Sequence, residues 1–208
     1  MGRGGRFGKY GEHKRFERLR RGKVRDFIPG RVPYPKESRP YNWRRVPKKS
    51  MQGLKMALRV ANSRDLPFIV ELSGQVFSAY GQYDEIIPRW ASFHHIITVL
   101  VEERGQARGF AMINPSLGAR NEAKGELLAI AVCPEYQRRG IGKKLLRHME
   151  DLAGNLGIEE MVIHTAEINE AAHRFFATNG FIQRGSVDSY YPKGQKALEM
   201  SKTLSINH

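Results

Sequence analysis

One cysteine, no long apolar run and only 4 acidic residues against 17 basic ones in residues 1–50 set the limits on this 208-residue chain. The lone Cys133 rules out an internal disulfide. It follows an apolar run and precedes Pro134, which suits passive packing better than a nucleophile's exposure. No stretch approaches the roughly 20 apolar residues of a membrane-spanning helix, so no membrane partner is expected. The seven histidines show no ligand spacing, and no metal is expected. His164 lies in a strand-like run without a partner nearby in sequence. Two well-known phosphate loops are also missing: the Lys-Ser/Thr ending of the Walker loop and the G-x-G-x-x-G of dinucleotide folds.

Charge divides the chain. Residues 1–50 hold 17 Lys and Arg against 4 Asp and Glu, so almost all of the net charge of +14 sits there. The segment is rich in Pro and Gly, has little apolar periodicity apart from a short helix expected around Glu12 to Arg25, and is not expected to fold alone. Its aromatics are Phe7, Tyr10, Phe16, Phe27, Tyr34, Tyr41 and Trp43. Aromatic rings among basic side chains suit single-stranded RNA or ribosome contact, and equally suit docking on the protein's own surface or a solvated leader. The segment has no apolar core of a secretory signal, and Met1-Gly2 lacks the Ser/Thr of a myristoylation site, so a cytoplasmic protein is expected.

Residues 51–208 read as one domain. Leu54, Met56, Leu58 and Val60 alternate as in a half-buried first strand. Ser63 is the expected N-cap of a helix running to about Tyr80, and a shorter helix follows from Asp84 to about Ser92. Ile96 to Val101 and Ala107 to Ile113 form a hairpin around Gly105, and a polar loop follows to Gly125. Leu127 to Val132 and Met161 to Thr165 are further strands, with Gln183 to Tyr191 and Ala197 to Leu204 closing the sheet. The class is α/β (α+β): a mixed, mostly antiparallel sheet with helices on both faces, behind a basic N-terminal extension.

The most informative stretch is Val132 to Gly142, between an apolar strand and a helix whose Ile141, Leu145, Met149 and Leu152 recur at helical spacing. Gly140 and Gly142 let the backbone turn and approach a ligand closely. The N–H groups opening the helix then converge, and its dipole favours an anion such as a pyrophosphate.

Gln137, Gly140 and Gly142, after a strand ending in Val-x-Pro and before Lys-Lys-Leu-Leu, resemble the acyl-CoA loop of the GNAT superfamily of N-acetyltransferases. Asn169, Ala172, Phe175, Phe176, Gly180 and Phe181 fit that family's second motif, and Tyr190-Tyr191-Pro192 looks like the closing hairpin of the branch that acetylates protein N-termini, ribosomal-protein alanine acetyltransferases among them. The resemblance spans roughly residues 54–204. It implies an acetyl-CoA pyrophosphate on the backbone of Arg138, Arg139, Gly140, Ile141, Gly142 and Lys143, with the Arg138, Arg139 and Lys143 side chains adding charge. It implies a pantetheine arm along Ile130, Ala131 and Val132, a cofactor contact from Asn169, whose position equally predicts a helix N-cap, and Phe176 beside the cofactor.

For the base, Glu126 shares strand parity with Leu128, Ile130 and Val132, at the end of an apolar face that would make its carboxylate a better proton acceptor. It also stands where lysine-acetylating members of the superfamily carry their base. Phe176 replaces the tyrosine that serves most members as acid, which leaves Tyr190 or Tyr191 as substitutes, or as ligands of the substrate backbone. The expected function is acetyl transfer from acetyl-CoA to a protein or peptide amine. The alternatives are a small-molecule amine acetyltransferase, a non-catalytic acetyl-CoA-responsive binder of RNA or ribosomes, and an interaction protein that has lost the cofactor.

Overall fold

The computed structural model describes residues 56–115 and 123–205. The basic extension, its aromatics, its expected helix and Leu54 lie outside them, as does most of the loop after residue 115.

Strand β1 (Met56–Val60) leads into a helical turn that opens with a single 3-10 turn and continues as α1 (Leu66–Phe77). The cap is Asn62 rather than Ser63. Its side chain accepts the Arg64 N–H at 3.0 Å, and the Asp65 carboxylate reaches back to the Asn62 N–H at 2.8 Å. Asn and Ser cap almost equally well, so tertiary contacts chose between them. Arg59 decides it: its guanidinium binds Asp65 at 2.7 Å and Glu102 on the next strand at 2.6 Å.

Helix α2 (Tyr83–Ala91) follows, then a hairpin of β2 (Ile97–Glu103) and β3 (Gln106–Asn114). Arg104 and Gly105 both take left-handed backbone at its tip, the geometry of a two-residue hairpin turn. Next come β4 (Lys124–Val132), α3 (Ile141–Asn155), β5 (Glu160–Ala166), α4 (Glu170–Thr178), β6 (Ile182–Val187) and β7 (Ala197–Thr203). The strand order is β1-β2-β3-β4-β5-β7-β6. Among the described strands only β4 and β5 pair in parallel, joined by α3 as a crossover.

The core has two layers. Val99, Val101, Ile113, Leu127 and Val132 pack with Leu145, Leu146, Met149 and Leu152 of α3. On the other face Leu100, Phe110, Met112, Ala129 and Ala131 meet Ile69 and Leu72 of α1 and Ile87 and Trp90 of α2. Each Val, Leu, Ile, Phe or Met among them contributes about 1.5–3 kcal/mol by leaving water. Helices therefore cover both faces, as the sequence implies.

Two features depart from the expected pattern. The β3–β4 register slips between Met112 and Ile113, pairing Met112 with Ala129 but Ile113 with Leu127. Leu128 is the extra residue of a bulge, and alternation reverses across it. Glu126 therefore does not share the face of Ile130 and Val132. It lies with Ala129 and Ala131, toward α1 and α2. In addition, β6 ends at Val187, so Tyr190 and Tyr191 belong to the connection to β7 and not to a strand.

Candidate active site

Parallel pairing of β4 with β5 runs from Lys124↔Glu160 to Leu127↔Ile163 and stops. Beyond that point β5 continues against β7, and β4 continues against β3 alone. The sheet splits there. Among the described residues, the backbone groups of 128–132 that face the split have no strand partner. A cavity of about 160 Å³ opens at the divergence. Glu126, Ile130, Asn169, Phe176, Tyr190 and Tyr191 all line it, together with Tyr80, Tyr83, Trp90 and His164.

The sequence points to Glu126 but not to its partner, His164. Glu126 is 8% exposed, and its Oε1 lies 3.0 Å from His164 Nδ1. The other ring nitrogen of His164 lies 3.4 Å from Glu199 on β7. His164 thus has the partners that its sequence neighbourhood withholds. Strand parity alone puts Glu126 on the wrong face, and only the bulge at Leu128 and the parallel β4–β5 register make it a neighbour of His164.

Four tyrosines enclose this pair. Tyr190 stacks on the His164 ring at 4.6 Å between centroids. Tyr191 donates from its hydroxyl to the His164 carbonyl at 3.2 Å and packs on Tyr80 and Tyr83. Burial pushes the Tyr191 and Tyr83 hydroxyls far above their ordinary range. It also raises Tyr80, against the opposing effect of a hydrogen bond with the Asn169 side chain. Asn169 is the N-cap of α4, accepting the Ala172 N–H at 3.1 Å, as its position predicts. Phe176 is buried against Phe175 and Phe181 and has no proton to offer.

The tyrosine-bearing connection is fastened across the cavity mouth. Lys193 Nζ donates to the Ser78 carbonyl at 2.7 Å, and Gln195 Nε2 to the Ala79 carbonyl at 2.8 Å. Both carbonyls lie at the end of α1, where helix geometry leaves such groups unsatisfied.

At the far end of β4 the loop to α3 has the shape expected of an anion cradle. Gln137 Nε2 donates to the Val132 carbonyl at 3.1 Å and folds the loop onto the strand end. Arg138 and Gly140 both have positive φ, 60° and 79°. Gly140 opens α3 with no side-chain cap, so the first N–H groups of the helix are free to meet a ligand. A Cβ at Gly140 would meet open space, and Arg138, Arg139 and Lys143 are exposed. These groups fit a pyrophosphate. Gly142 differs from expectation: its φ is not positive, and an added Cβ would touch the Phe175 ring at 3.5 Å. It lies in the first turn of α3 rather than in the turn before it. Ile141 is buried, so only its backbone is available to a ligand. Arg139 lies over the Tyr136 ring, which Arg108 also approaches. Cys133 is buried, and that burial raises its thiol above the usual range, consistent with packing. No group of three or more metal-ligating side chains occurs among the described residues.

Solved acetyltransferases share this fold. Residues 60–181 match the model of the acetyltransferase (GNAT) family, and the chain belongs to that family. It is 26% identical to an uncharacterized N-acetyltransferase of Methanocaldococcus jannaschii, over 71% of this chain and 91% of that one. It is 35% identical to the ribosomal protein bS18-alanine N-acetyltransferase of Salmonella typhimurium, over 38% of this chain and 56% of that one. The paia N-acetyltransferase of Thermoplasma acidophilum, solved in complex with coenzyme A, has a TM-score of 0.58 at 20% identity, over 71% of this chain and 98% of its own.

Proposed function

We propose that this protein transfers an acetyl group from acetyl-CoA to the free N-terminal amine of a protein or peptide. The observation that carries the reading is the Glu126–His164 pair, buried where β4 and β5 diverge and roofed by Tyr190 and Tyr191. The name of the Salmonella relative, an enzyme for a ribosomal-protein alanine, points the same way.

Acetyl-CoA would supply an activated thioester, whose carbonyl carbon accepts the amine. The backbone of residues 138–143 would hold its pyrophosphate, with Arg138, Arg139 and Lys143 adding charge. The free edge of Ile130, Ala131 and Val132 would pair with the pantetheine amides, and an N–H on that edge would polarise the thioester oxygen. Asn169 and Phe176 would border the same arm. Glu126, backed by His164, takes a proton from the acceptor ammonium. An α-amine, at about 7.7–8.0, gives up that proton far more readily than a lysine at about 10.4. No protein acid is needed for the leaving group, because a thiol of about 8.5 departs readily as thiolate. The amine's nitrogen forms the new C–N bond as the C–S bond breaks; the ammonium's two lost protons end on the thiolate and, through Glu126, in solvent.

The test is acetyl transfer to two peptide pools, read by mass spectrometry. One has free N-termini and no lysine; the other has blocked N-termini and internal lysines. Labelling of the first alone is the expected result. Labelling of neither, with acetyl-CoA still bound, would replace this reading with a small-molecule acceptor or a non-catalytic binder.

A further inference from the structure

The α-amine and the side chain of a peptide's first residue are joined through one carbon, Cα. An amine that reaches Glu126 therefore brings its own side chain into the same cavity. The peptide continues from that residue's carbonyl, which must leave through the mouth, so the side chain is left for the interior. The bulge at Leu128 turns Glu126 toward α1 and α2, and these helices build the wall that the side chain meets. The wall consists of Val76 and Phe77 of α1, Tyr80 just beyond it, and Tyr83, Ile87 and Trp90 of α2. Its rings brace one another: the Tyr83 centroid lies 5.8 Å from that of Phe77 and 6.3 Å from that of Trp90. No Lys, Arg or Asp occurs among the described residues that line the cavity. Burial keeps the Tyr80 and Tyr83 hydroxyls neutral, so the wall itself offers no charge.

We propose that this α1–α2 wall receives the first side chain of the acceptor and selects N-termini whose first residue is uncharged and apolar, of about the size of Leu or Met. The inference rests on the proposed transfer to an N-terminal amine and names which N-termini are taken. An acidic first residue would set a second carboxylate near Glu126 with no cation in the cavity to offset it, and an unpaired buried charge is costly. A basic one would pair with Glu126 and occupy the group that must take the amine's proton. An apolar side chain instead gains by leaving water against the aromatic wall. Size sets the upper limit. The cavity holds about 160 Å³, close to the roughly 150 Å³ of an apolar cavity that takes one benzene. Shared with the acetyl group, that space admits Leu or Met but not Trp.

The experiment uses the full-length chain and lysine-free peptides that differ only in their first residue: Ala, Leu, Met, Trp, Asp, Glu or Arg. For kcat/KM, Leu and Met are expected to exceed Ala by about tenfold and the charged residues by on the order of a hundredfold, with Trp falling below Leu. Val76→Lys places a cation on the half-buried α1 side of the wall. It should narrow the gap between Leu and Asp by about tenfold, whereas Val76→Met, which keeps the wall apolar, should leave the order unchanged. Equal rates for Leu and Asp in wild type, or faster transfer to Asp, overturn the proposal. An unchanged order in a folded Val76→Lys also overturns it, because the first side chain then lies away from α1. Calorimetric titration of the Leu and Asp peptides, with CoA present, gives a second readout that needs no turnover. If no peptide is acetylated but Leu still binds about tenfold or more tightly than Asp, the functional reading fails and the pocket stands. Binding that does not distinguish the two overturns the pocket itself.

Discussion

His164 and Glu126 lie 38 residues apart in sequence and 3.0 Å apart in space, one on each of the two parallel strands. Their contact exists because α3 carries the chain over the sheet and returns it beside β4. Glu126→Gln is expected to slow transfer at pH 7 by about 10²–10⁴-fold, with partial recovery at higher pH as more acceptor amine is neutral. His164→Phe should cost less alone, and little more when added to Glu126→Gln, since groups acting together are not additive. Steady-state rates across pH for the two single variants and the double variant check this. Independent, multiplying losses would separate the two residues.

The cradle at the start of α3 gives a binding prediction. Gly140 sits at φ 79°, where any residue with a Cβ is strained by about 1–2 kcal/mol. Glu there adds a carboxylate to the place proposed for pyrophosphate. Gly140→Glu should weaken acetyl-CoA binding by tenfold or more, whereas Gly140→Asn, which tolerates this backbone, should weaken it only slightly. Calorimetric titration with acetyl-CoA distinguishes them, and equal affinities would move the site elsewhere.

The fastening of the Tyr190–Tyr191 connection gives a third. Lys193 and Gln195 reach the Ser78 and Ala79 carbonyls, and a Cβ on Gly81 would run into the Pro192 ring at 2.8 Å. The double variant Lys193→Met, Gln195→Leu releases these bonds without touching the cradle. Acceptor KM should rise several-fold while acetyl-CoA affinity is unchanged. A rise in both would mean that the connection supports the whole cleft.

Arg59, Asp65 and Glu102 tie β1, β2 and the start of α1 together. The hydrogen bond from Arg59 holds the Asp65 carboxyl below its ordinary range, against the effect of burial. A depressed acid stabilises the fold above its unfolded value of about 3.9, and that contribution is lost as pH falls through the lower folded value. Asp65→Asn should therefore cost about 1–3 kcal/mol at pH 7, from the lost charge-assisted bonds. The difference from wild type should shrink below about pH 4. Denaturant unfolding at pH 7 and pH 3 measures both values, and a deficit that persists undiminished at pH 3 would refute the ionic origin.

Local chemistry wrote much of this protein directly into its sequence. The hairpin at Gly105, the amphipathic α3, the cap at Asn169 and the turn at Gly140 each depend on neighbours within a few positions, and the structure places them as their spacing implies. Periodicity also gives the two-layered core, because strands and helices must each bury one face. What the sequence could not decide depends on register between distant segments. The single extra residue at Leu128 turns Glu126 away from the face its parity suggests, toward α1 and α2. The end of β6 at Val187 releases two tyrosines onto a histidine 26 and 27 residues before them. Glu126, His164 and Glu199 come together only when β4, β5 and β7 align. Side-chain type and spacing specify the elements, but only the packed sheet sets the distances over which a proton can move.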